Sequence, residues 1–139
     1  MRKATVPISL GVVLLALPSP ASPGRYRRRG ERHMERSNQN LEGWALGNQG
    51  LKVEFRGTYE YKAGGAWTAN TGYASGIALI EGVVATFKPE GADAGCKIAM
   101  TFQGGRLLVD QRGDCGFGFN VVASGNYRKT SSRKPDFDN

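Results

Sequence analysis

The chain predicts an all-β fold, a small antiparallel meander barrel or sandwich of about six strands with one disulfide. Three observations predict it. Leu51 to Lys62 alternates apolar and polar side chains, twenty glycines stand against six prolines, and both cysteines fall in one alternating C-terminal segment. Alternation with a period of two marks a half-buried strand, and glycine supplies the tight turns between short strands. At 139 residues there is room for one domain with a modest core, in which a cross-link adds useful stability.

The N-terminus reads as a leader. Arg2 and Lys3 precede an apolar stretch, Ile8 to Leu17, followed by Pro18, Ser19, Pro20 and Ala21. That order of charge, apolar core and small residues is what signal peptidase reads, so residues 1–21 are expected to be a signal peptide cut after Ala21. About ten apolar residues are half of what a bilayer span needs, and no transmembrane segment is expected after cleavage. The expected localisation is periplasmic or secreted.

Residues 22–40 follow as an expected flexible basic arm. Arg25, Arg27, Arg28, Arg29, Arg32 and Arg36 face only Glu31 and Glu35, and aliphatic residues are almost missing, so the segment cannot bury enough surface to fold alone. The net charge of +7 resides mainly at this end, since residues 41–130 carry nine basic side chains against eight acidic ones. The arm reads either as a solvated linker or as a contact for an anionic surface such as membrane or lipopolysaccharide, and nucleic acid is disfavoured because Tyr26 is its one aromatic residue.

The domain itself is expected over residues 41–130. Leu51, Val53, Phe55, Tyr59 and Tyr61 share one face of the first strand; Gly57, on the same face, leaves room for a bulge or for a bulky neighbour from a crossing segment. Trp44 and Leu46, just before, are expected to close the bottom of the core. Residues 63–76 (AGGAWTANTGYASG) read as an irregular loop, with Trp67 and Tyr73 either offering a binding surface or folding back as plugs. Residues 77–88 read as a hairpin turning at Glu81 and Gly82, and residues 89–95 as a loop.

Cys96, Ile98, Met100 and Phe102 point one way from the next strand. An even cysteine count in an exported chain favours a bridge, Cys96 to Cys115, closing a loop that contributes on the order of 3 kcal/mol. A turn at Gly104 and Gly105 would leave the two cysteines diagonal, whereas a turn at Gly105 and Arg106 sets them directly opposite, and the bridge favours the latter register or a bulge with the same effect. Phe117, Phe119, Val121 and Ala123 are expected to continue as a core-facing strand, Tyr127 to cap the core, and residues 131–139 to form a disordered tail.

Several chemistries are excluded. The one histidine, His33, lies outside the expected domain, and with both cysteines bridged there is neither a Ser-His or Cys-His pair nor a thiolate nucleophile. Glu54 and Glu60 share a strand face at a separation of about 20 Å, too far for a glycosidase pair. Asp110 and Asp114 flank turns, Asp114 with Asn120 lacks any calcium-loop signature, and no cofactor motif is present. The expectation is a protein that is not an enzyme.

The segments PEG, CKIAMTFQGGRLLVDQ and DCGFGFNVVASGNYRK, about the last third of the chain, resemble the end of a group of small exported bacterial β-domain proteins of uncharacterised function. That resemblance implies a periplasmic or secreted β-domain and brings no activity with it. The overall design is also similar to small periplasmic β-barrel inhibitors of lysozyme and of proteases, a fold-level analogy. Two functions are thus expected: a non-enzymatic binding or inhibitor-like module acting on an unknown protein or envelope component, and an envelope surface protein acting through its arginine arm.

Overall fold

The computed structural model describes residues 23–137, with Gly11 alone ahead of them. The expected signal peptide over residues 1–21 lies outside the described residues. Eight antiparallel strands form a closed barrel in simple chain order: β1 (Gly24–Arg32), β2 (Glu35–Gly47), β3 (Gly50–Ala63), β4 (Ala66–Glu81), β5 (Val84–Phe87), β6 (Lys97–Gln103), β7 (Arg106–Arg112) and β8 (Gly125–Ser131). The all-β class and the bridge stand; the count is eight instead of six.

Both extra strands come from the stretch expected to be a flexible arm. Residues 24–32 form β1 and residues 35–40 open β2, paired residue for residue from Gly24↔Gly43 to Arg32↔Glu35. β1 then pairs with β8 through Tyr26↔Lys129 and Arg27↔Arg128, which closes the sheet. An isolated segment of this composition has no reason to fold, but two neighbouring ladders satisfy its backbone, and closure leaves no edge open. Tyr26 is its large core side chain, buried edge-on to Phe102 with ring centroids 6.0 Å apart.

The core is built from the inward rows of all eight strands. Leu41, Leu51, Val53, Phe55, Phe87, Ile98, Met100 and Leu107 are each at most 1% exposed, while outward rows such as Arg25, Arg27 and Arg29 or Lys52, Glu54 and Arg56 are charged. Apolar inside and charged outside is the arrangement opposite to a transmembrane barrel. Trp44 and Leu46 are corrected here. Both lie on the outside, Leu46 55% exposed, because in β2 the inward parity belongs to Leu41, Gly43 and Ala45. They flank the C-terminal tail, where Pro135 is buried and Lys52 Nζ lies 4.8 Å from the Phe137 ring centre. Residue 131 completes β8, and residues 135–137 pack on the barrel wall, so the expected disordered tail is not one as far as residue 137.

Residues 63–76 are not an irregular loop. β3 and β4 join through a two-residue turn at Gly64 and Gly65, and fourteen consecutive pairs run from Ala63↔Ala66 to Gly50↔Leu79. The small residues follow from what crosses them. Gly57 pairs with Gly72 on the inner face, and a Cβ at either would lie 2.8 Å from Val121 Cγ1. This is the bulky crossing neighbour that Gly57 leaves room for. It arrives in residues 113–124, which are a loop and not the expected strand. Phe117 packs on Phe55 with ring centroids 4.9 Å apart, Val121 and Ala123 are buried, and Phe119 is 75% exposed.

Two turns are displaced by one residue from their expected places. Glu81↔Val84 puts the first at Gly82 and Val83. Gln103↔Arg106 puts the second at Gly104 and Gly105, with Gly104 at φ 63°. The register argued from the bridge therefore fails. Lys97 faces Arg112, so Cys96 stands beyond the last pair, and the chain turns through Gly113 and Asp114 to return Cys115 to a Cα separation of 5.0 Å. A loop reaches the partner that a regular strand would have missed.

Gly72→Ala drives a methyl into Val121 and Phe117 and is expected to lower unfolding free energy by about 1–3 kcal/mol. Gly105→Ala, with open space around it, is expected to stay within about 0.5 kcal/mol. Denaturant unfolding of both variants checks the pair.

Candidate functional site

The barrel is asymmetric from end to end. Tight turns at 47–50, 81–84 and 103–106 close one end, while β3 and β4 run on past β5, which pairs only with Leu79–Glu81. On the far side the inward rows of β1 and β2 change character. Tyr26 and Leu41 give way to Arg28, Gln39, Ser37, Glu35 and Arg32, and with Tyr59, Asn120 and Val122 these line an open cavity of about 630 Å³. The inner face of the arginine-rich strand thus becomes the wall of a polar mouth.

Several polar groups of the mouth are held in place. Arg28 passes across Gly125, where any side chain would collide with it, and its Nη1 donates to Gln39 Oε1 at 3.2 Å. Gln39 is 2% exposed. The Tyr59 hydroxyl meets the Glu35 carboxylate and the Asn120 amide; burial first, and Glu35 second, raise the Tyr59 pKa above its ordinary value. It stays a neutral donor. Exposed Met34 and Phe119 stand at the rim.

The opposite wall is the loop 113–124, which makes no strand ladder and is fastened mainly by side chains. Gln111 Oε1 accepts from Ala123 N at 2.7 Å, and Ser124 Oγ accepts from Gln111 N at 2.8 Å. Gly118 N donates to Thr71 O at 3.0 Å, and Asn70 Nδ2 donates to Phe119 O at 3.1 Å. The Tyr127 hydroxyl donates to Ala123 O at 2.6 Å, with burial pushing its pKa up. Gln111, a polar residue on an apolar face in the sequence, is thus the clamp of this wall.

The residues singled out in the sequence are divided by the structure. Alternation along β1 sends Arg28 and Arg32 to the mouth side and Arg25, Arg27 and Arg29 to the outer face. Trp67 and Tyr73 do not form a loop surface; they lie on the outer face of β4. Arg36 Cζ stands 4.4 Å from the Trp67 ring centre and Arg56 Cζ 5.4 Å from that of Tyr73. Cys96 and Cys115 are the bridge. Asp110 pairs with Arg112, and Asp114 caps the N–H of Gly116.

One pairing was invisible in the sequence. Glu42 and Glu54 stand directly opposite each other on the outside of β2 and β3. Arg25 Nε lies 3.0 Å from Glu42 and Arg56 Nη2 2.7 Å from Glu54, which is only 4% exposed. Burial, then the Glu54 charge, raise the Glu42 pKa against the opposing pull of Arg25 and Arg56. Two unlike carboxylates side by side suit acid–base work in principle, but here each is engaged by its own guanidinium. The signal that could have found them is register, which twelve residues of separation do not reveal. Among the described residues no three His, Cys, Asp or Glu side chains are grouped to hold a metal ion.

Two outcomes follow. Gln111→Leu strands the Ala123 N–H, which is expected to cost about 1–3 kcal/mol and to speed hydrogen exchange at Ala123. For Glu42, the folded state holds the proton more tightly than the unfolded chain, so its contribution is lost as pH rises from 4.5 through the raised pKa. Relative to Glu42→Gln, the natural chain should lose stability across that window and run parallel on either side of it in pH-dependent melts. Comparison with protein-family models, with curated proteins and with solved structures found no match for this chain.

Proposed function

We propose that the protein is an exported, non-enzymatic binding domain that receives its partner in the open polar end of the barrel. The observation that carries this reading is the change of character along β1 and β2, from Tyr26 and Leu41 in the core to Arg28, Gln39 and Glu35 in a cavity of about 630 Å³. A barrel of eight strands has an interior that side chains fill or that holds one small ligand. This one is filled below and open above. Such an end costs apolar burial, and a binding role explains what a purely structural one does not.

The chemistry favours an acidic group. Arg28, Arg32 and Arg36 line the mouth with Glu31 and Glu35; Glu31 pairs with Arg36 and the Glu35 carboxylate is engaged by Tyr59, which leaves Arg28 and Arg32 for a ligand. Arg28 is held by Gln39 through one nitrogen, and its fork is suited to a carboxylate or phosphate. Met34 and Phe119 at the rim supply apolar contact for a larger partner, as an inhibitor-like module would use.

Titration of isotope-labelled protein with a short acidic peptide and with its amidated counterpart tests this. Shifts at Arg28, Gln39, Tyr59 and Asn120 are expected for the acidic peptide alone. Arg28→Gln should weaken the interaction about tenfold, roughly 1.4 kcal/mol. Shifts confined to Trp67 and Tyr73, or equal shifts for both peptides, would overturn it.

A further inference from the structure

The outward row of the barrel holds an arrangement that the mouth does not explain. Arg27 on β1 stands directly opposite Arg128 on β8, and Arg128 directly opposite Arg106 on β7. Three guanidinium-bearing residues thus sit side by side on three neighbouring strands about 4.8 Å apart, with Arg25 and Arg29 next along β1. All five are exposed. Glu42 engages Arg25, and Arg27 Nε donates to Asn40 Oδ1 at 3.0 Å. Among the described residues no carboxylate pairs with Arg27, Arg29, Arg106 or Arg128.

Like charges placed directly opposite each other across strands are destabilising, and arginine cannot discharge by losing its proton. The contrast lies on the same barrel: Glu42 and Glu54 also stand directly opposite each other, on β2 and β3, but each is neutralised by a guanidinium, Arg25 from β1 and Arg56 from β3. A row of uncompensated arginines is relieved by an external anion placed between them. From this we infer that the β7–β8–β1 flank docks on an anionic lipid surface, with headgroup phosphates bridging Arg27, Arg128 and Arg106. Guanidinium forks match phosphate geometry in pairs.

The neighbours of the row favour a lipid surface over a nucleic acid. Besides arginines, the outward positions of these three strands hold Glu31 and Asp110, engaged by Arg36 and Arg112, with Leu108, Asn126 and Thr130, and none presents an aromatic ring on which bases would stack. Trp67 and Tyr73 lie on β4, separated from β1 by two strands. Leu108 is 45% exposed beside Arg106 and gives the flank an apolar tip suited to a headgroup layer. The flank is independent of the mouth, since Arg28 faces the other way.

Co-sedimentation of the full chain with phosphatidylglycerol-containing vesicles, against phosphatidylcholine vesicles, tests the inference. Binding is expected to the anionic vesicles only and to fall with added salt. The triple variant Arg27→Gln, Arg106→Gln, Arg128→Gln should bind on the order of a hundredfold more weakly. A control with the same charge removed elsewhere, Lys62→Gln, Lys88→Gln, Lys97→Gln, should keep most of the affinity. Equal loss in both variants, no binding to anionic vesicles at low salt, or tighter binding to a single-stranded oligonucleotide than to vesicles would overturn it. The triple variant should melt no lower than the natural chain in low salt, because repulsion is removed; a lower melting temperature would make the arginines structural and overturn it as well.

Discussion

The architecture depends on the pairing of β1 with β8. Without it the sheet would end in two open edges; with it the ladder is continuous, and every strand has two neighbours. The segment that completes this ring contributes one large core side chain, Tyr26, and otherwise arginines, glycine and glutamate. Its place in the fold is therefore secured by backbone hydrogen bonds to β2 and β8 more than by apolar burial. A strand held in that way is free to carry charge on both faces, and this is the source of both the polar mouth and the cationic flank.

A second constraint follows from the unequal strand lengths. β3 and β4 outrun β5, which leaves the inner face of their far half uncovered by sheet. The loop 113–124 covers it. It is tied at its start by the bridge to Cys96, at its end by Gln111 and Tyr127, and in the middle by Val121 seated in the Gly57–Gly72 notch. Side-chain amide and hydroxyl groups here replace the ladder that an additional strand would have made. The loop can thereby follow the curvature of the wall and still leave Asn120 and Val122 facing the mouth.

The sequence made legible whatever is decided locally. Alternation named β3 almost to the residue, and cysteine count together with expected compartment named the bridge. What it could not show was decided by partners far along the chain. Arg25 to Arg32 has no strand signal by itself, because it is held by its ladder to the equally polar β2 and by Lys129 and Arg128, far along the chain. The glycines of residues 63–76 look like loop composition, yet only Gly64 and Gly65 make a turn, while Gly72 is small because Phe117 and Val121 cross it and Gly76 because Phe87 does. The C-terminal hairpin misled for the opposite reason. A regular strand up to Cys115 needs its turn at Gly105 and Arg106 to bring the cysteines together, whereas the chain turns at Gly104 and Gly105 and bends at Gly113.

The same alternation also bears on how the site should be understood. A flexible arm would have offered its arginines as one undirected cluster, each screened by water and none fixed relative to another. As a strand, β1 sorts them by parity. Arg28 is drawn against Gly125 and tied to a buried Gln39, so part of its ordering cost is met in the folded state before any ligand arrives. Arg27 and Arg29 on the other face keep their hydration and respond to charge at a distance. One segment thus presents a preorganised, partly dry recognition group inside and a solvated field outside, and the two differ in what they can select: shape and hydrogen bonding at the mouth, charge density on the flank.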